Sequence, residues 1–96
     1  MADIDQLAIA TSLLIETSPA PVPITLLNHS IDEAAAIIGA VVEKCDRDGI
    51  KLEQVCLDPE LGSELGLVEG VALPHGGRPT VRIDAGLGRQ VLFKRR

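Results

Sequence analysis

In the middle of the chain Ile31, Ala34, Ile37, Ile38, Val41, Val42 and Cys45 recur at helical spacing, with Asp32, Glu33, Glu43, Lys44 and Arg47 opposite them. Ser30 followed by Glu33 supplies an S-x-x-E capping box and Gly49 a left-handed stop, so the pattern predicts a helix over 31–48. On its two sides Val22 to Leu27 and Ile50 to Leu57 are short β-branched and leucine-rich runs, each long enough for one strand. Strand, helix and strand joined by tight turns make a βαβ unit over 22–57, with its two strands parallel. Asp58-Pro59-Glu60 then reads as the cap and first two positions of a short helix within 58–66, carrying Leu61 and Leu65 and stopping near Gly66.

From Gly70 onward the pattern changes to strands and turns. Val71 to Leu73, Thr80 to Asp84 and Arg89 to Lys94 are short runs separated by Pro74-His75-Gly76-Gly77-Arg78-Pro79 and by Ala85-Gly86-Leu87-Gly88. Val81 and Ile83, then Val91 and Phe93, alternate with polar neighbours, which predicts an antiparallel hairpin with one face on the core. Its last strand could serve as a sheet edge. The first 21 residues fit two patterns: Ile4, Leu7, Ala8, Thr11, Leu14 and Ile15 behind Asp3 suit a capped helix, while Leu7, Ile9, Thr11, Leu13 and Ile15 suit a strand. Ser18 to Pro23 is an extended connector, because prolines at every second position forbid a helix or a paired central strand. The expected fold is a small α+β domain over 1–96, a two-layer α/β sandwich. Residues 1–21 form an arm and connector, 22–57 the βαβ unit, 58–66 the short helix and 70–96 a basic hairpin region.

With 96 residues the chain can bury one core of modest size, which makes dimerisation a natural supplement. Phe93 is its only aromatic residue, which argues against base stacking on single-stranded nucleic acid and against sugar binding on aromatic faces. No apolar run reaches the ~18–20 residues that span a bilayer. The acidic start Met1-Ala2-Asp3-Ile4-Asp5 has no basic flank of a secretory signal, so a cytoplasmic location is expected. Two cysteines fit a reducing compartment rather than a disulfide scaffold. The net charge of -5 hides a division. Residues 1–69 hold 13 acids and 3 bases, whereas residues 70–96 hold 1 acid and 6 bases.

Topology alone brings Asn28, His29 and Ser30, at the end of the first strand, to the same sheet edge as Asp58, where ligands of α/β sheets collect. Helix caps and ordinary turn residues explain the same letters. Gly70-Val71-Ala72-Leu73-Pro74-His75 resembles the G-x-A-[IL]-P-H segment of the fructose/mannitol-type enzyme IIA domains of the bacterial sugar phosphotransferase system. There the histidine carries a phosphoryl group. In this chain Gly76 and Gly77 would supply open amides and Arg78 a counter-charge. The resemblance covers six residues, the arginine-glutamate pair before the glycine is missing, and only 21 residues follow His75. A turn of Pro, His, Gly, Gly, Arg and Pro joining two strands explains the same letters and is the favoured reading.

No catalytic residue is assigned, with His75, His29 and Asp58 the candidates, and no metal or cofactor is expected. Cys45 and Cys56 lack metal-ligand spacing and read as structural thiols. Ser30 is already committed as a cap, which removes it as a nucleophile for His29. The basic end, Arg78, Arg82, Arg89, Lys94, Arg95 and Arg96, suits an acidic face of the same or another copy better than nucleic acid, which the acidic remainder would repel. The sequence therefore points to a non-catalytic interaction or regulatory module, a homodimer or other homo-oligomer with room for a protein partner. Histidine-dependent handling of phosphoryl groups or small anions is the alternative.

Overall fold

The computed structural model describes residues 3–27, 29–73 and 78–96. Its elements are α1 (Asp3–Thr17), β1 (Val22–Thr25), α2 (Ile31–Arg47), β2 (Leu52–Leu57), α3 (Pro59–Leu65), β3 (Thr80–Ile83) and β4 (Gln90–Arg95). The strands form one mixed sheet in the order β1-β4-β2-β3, and the helices complete the small α+β fold.

Local signals set the helix ends. Ser30 Oγ accepts the Glu33 N–H at 3.2 Å while Glu33 Oε1 accepts the Ser30 N–H at 3.0 Å, so the capping box closes in both directions. Gly49, at φ 75°, ends α2 in a backbone conformation that a side chain would strain. Asp58 Oδ1 accepts the Leu61 N–H at 2.9 Å and opens α3, and Gly66 at φ 71° closes it. The two patterns open for the N-terminus resolve as a helix, with Ala8, Thr11, Ser12 and Ile15 buried along one face of α1. Arg95 Nε donates to the Ser18 carbonyl at 3.3 Å, placing a cation beside the end of a helix that has no base in its own last turn.

The two C-terminal strands do not pair with each other, which corrects the expected hairpin. β4 runs antiparallel to both β1 and β2, while β3 lies outside β2 and parallel to it. The β1-α2-β2 strands are parallel, but β4 fills the space between them. Burial decides the order. Phe93 is 1% exposed, opposite Val22 on one side and Val55 on the other, whereas β3 carries exposed Thr80 and Arg82 and suits an edge. The last strand is therefore central, not an edge.

Both actual edges are blunted. Leu26 N donates to Arg89 O at 2.7 Å, so by antiparallel alternation Val22 and Ile24 also direct their backbone groups toward β4. Pro23, which has no N–H, then faces the free side, in keeping with the rule that confines strand prolines to edges. The outer side of β3 is covered by the segment before it. Val81 N donates to Val71 O at 2.8 Å, Gly70 N to Val81 O at 2.9 Å and Leu73 N to Pro79 O at 2.8 Å. Val71 to Leu73, expected as a strand, contributes only the isolated bridge from Ala72 to Thr80.

One apolar cluster joins α1, α2 and α3 to Val22, Ile24, Val55, Leu57, Val81, Val91 and Phe93 on a single face of the sheet. A register shift between Leu52 and Gln54 lets Leu52 enter this core although it shares the parity of Gln54 and Cys56. The alternate strand residues form the opposite face: Pro23 and Thr25, Gln90, Leu92 and Lys94, Gln54 and Cys56, Thr80 and Arg82. Cys56 is buried yet outside the core cluster, because Leu92 and Arg82 stand on either side of it on that face.

Truncating Phe93 should remove the side chain that spans three strands. Phe93→Ala is expected to lower unfolding free energy by about 3–5 kcal/mol and Phe93→Leu by much less, read from urea denaturation midpoints.

Candidate functional site

The carboxyl ends of β1, β2 and β3 share one edge of the sheet with the start of β4, and that edge gathers His29, Ser30, Asp58 and Arg89. His29 Nδ1 lies 3.9 Å from Glu33 Oε1, the carboxylate already held by the Ser30 N–H. That backbone hydrogen bond, followed by the Ser30 hydroxyl and His29, holds the Glu33 carboxyl below its ordinary pKa. The α2 N-terminus thus already faces a carboxylate of its own chain, which occupies the place of an incoming anion.

Asp58 is 9% exposed and committed to the α3 cap. Arg89 reaches Glu64 at 2.9 Å and Glu60 at 4.0 Å, tying the start of β4 to α3; the Glu64 hydrogen bond and the surrounding acids raise its pKa. These arrangements fasten loops to helices. The expected sites at Asn28, His75, Gly76 and Gly77 lie outside the described residues, as does Pro74. Arg78 follows that segment with φ 58°, a left-handed conformation unusual for a side chain of its size.

Among the described residues no group of three or more His, Cys, Asp or Glu could hold a metal ion. The two cysteines are free and buried. Burial pushes the Cys45 thiol up to about 11, with Asp48 adding to the effect, and burial also raises Cys56. Burial thus disfavours the thiolate form of both.

The basic end does not form one ribbon, because β2 separates Arg82 from Lys94. Lys94 pairs with Glu53 at 3.2 Å, Arg89 with the α3 acids, and Arg95 with the Ser18 carbonyl. Charge instead separates by layer. The helices carry nine acids and two bases, and the strands three bases and one acid.

Two apolar surfaces were not singled out by motif reading. The outward side of α1 exposes Ile9 at 47%, Leu13 at 55% and Leu14 at 56%, while its inward side spends positions on Thr11 and Ser12. Aliphatic residues thus surround the helix, the composition of a helix covered on more than one side. The signal lay in the sequence as the two competing periodicities of residues 4–15: the helical set follows the inward side apart from exposed Leu14, and the alternating set adds the outward Ile9 and Leu13. The second surface is a cleft of about 220 Å³ between α2 and the α3–β3 connection, lined by Ile38, Gly39, Val42, Leu65, Leu67 and Leu73.

Ser30→Ala should cost about 1 kcal/mol of stability, as loss of an N-cap does. Because the Glu33 pKa is lower folded than unfolded, its contribution is complete above the ordinary value of 4.5 and disappears as pH falls through the folded value. Glu33→Gln should therefore be less stable than wild type at pH 7, with the difference closing on acidification, as compared by urea melts across pH. No family model, curated protein or solved structure matches the chain.

Proposed function

We propose that the chain is a non-catalytic interaction module that self-associates, and that the outward side of α1 is its contact surface. The observation that carries this reading is the exposure of Ile9, Leu13 and Leu14 on a helix whose inward positions include Thr11 and Ser12. Scattered exposed leucines need no explanation, but three aliphatic side chains within two turns make a contiguous patch. Covering the exposed half of each recovers on the order of 3 kcal/mol, enough for a weak contact that polar rim groups can strengthen. Blunted sheet edges favour a helix surface over strand pairing as the route. The edge cluster of His29, Asp58 and Arg89 stabilises the scaffold that presents it.

Sedimentation velocity over about 10 µM to about 1 mM should show the mean mass rising above the 10.1 kDa monomer. Leu13→Glu, at an exposed site, should keep its circular dichroism spectrum and remain monomeric throughout. Wild type that stays monomeric across the range overturns the reading.

A further inference from the structure

We infer that the surface receiving α1 is the free face of the sheet of a second copy, so that copies stack head to tail. This inference rests on the self-association just proposed and adds the identity of the partner surface. Among the described residues the helices pack on one face of the sheet and none covers the other. At its centre Leu92 and Cys56 are register partners, flanked by Pro23 on β1 and Arg82 on β3. Leu92 is half-buried and has no place in the core cluster, so its apolar surface is turned away from the helices. Lys94 stands one row further along.

Charge selects between the two surfaces α1 could meet. α1 carries three acids, Asp3 and Asp5 near its start and Glu16 near its end, and no base, so two α1 helices packed on each other bring carboxylates together. The sheet face instead offers Arg82 and Lys94. Among the described residues Arg82 holds no ion pair, and Lys94 has only the exposed Glu53 as its pairing carboxylate. Asp5 and Glu16 are about 16 Å apart along the helix axis. Arg82 and Lys94, two strands and two residues apart, are separated by about 12 Å, a difference that their side chains can span. The outward side of α1 and the free sheet face lie on opposite sides of a two-layer molecule. Their contact is heterologous and leaves each new copy with one unused surface of each kind, which is the geometry of an open stack rather than a closed pair.

Complementation of blocked surfaces tests this. Leu13→Glu keeps an intact sheet face, and the double variant Arg82→Glu, Lys94→Glu keeps an intact α1. Each alone should be monomeric by sedimentation, and an equimolar mixture should form a one-to-one dimer that grows no further. A sheet-face variant that associates as well as wild type, or a mixture that stays monomeric, overturns the head-to-tail contact while leaving self-association through α1 standing. Wild type that never associates overturns the underlying reading instead. A second measurement needs no variant: opposite charges in contact make wild-type association at least threefold weaker between 0.05 and 0.5 M salt, over which the screening length shortens about threefold. Association that strengthens with salt marks acidic helices meeting each other and overturns the stacking contact.

Discussion

The arrangement of the molecule depends on β4 entering the gap between β1 and β2. Phe93 makes this worthwhile, since it is the one large aromatic side chain available and meets Val22 and Val55 across two different strand pairs. With β4 in the centre, the β1-α2-β2 unit becomes a frame around an antiparallel strand, and all four strands turn one set of alternate residues toward the helices. The helix layer follows, because α2 and α1 can cover a continuous apolar surface only after the central strand has completed it. Arg89 and Arg95, at the two ends of β4, then fasten that strand to α3 and to the end of α1.

Where the sequence carries local chemistry, its reading agrees with the structure. The α2 capping box, the Asp58-Pro59 start of α3 and the glycine stops at 49 and 66 each depend on groups within a few residues of one another. Strand order depends on partners far apart in the chain. The turn at 85–88 resembles a hairpin connection, and nothing local distinguishes a chain that folds back beside its predecessor from one that crosses β2 to reach a more deeply buried slot. Alternation in β4 did identify Val91 and Phe93 as core residues. It could not say that the neighbouring strands would be β1 and β2, because alternation records which face is buried and not which strand lies alongside.

The candidate site was legible to a smaller degree. Topology correctly brings His29 and Asp58 to one edge, but their side chains serve the nearby chain, His29 beside the capping carboxylate and Asp58 as a cap. The division of charge was legible as an N-terminal and a C-terminal portion. Folding converts it into acidic helices over a more basic sheet, since the C-terminal portion supplies two of the four strands and none of the helices. The exposed side of α1 escaped notice for a related reason: a helix with aliphatic residues all round gives no single stripe to follow.

The central position of β4 also orders events in time. Val22 and Phe93 are register partners from nearly opposite ends of the chain, so closing the sheet requires long loops to be paid for in entropy before the contacts that repay them can form. On a ribosome, β1, α2, β2 and β3 emerge before the strand that joins β1 to β2. Until then the two facing strand borders keep their amides and carbonyls unmatched, and the apolar side of α2 has only part of its floor. The nascent domain therefore passes through an interval in which its most adhesive surfaces are uncovered, and that interval lasts until β4 has emerged and paired.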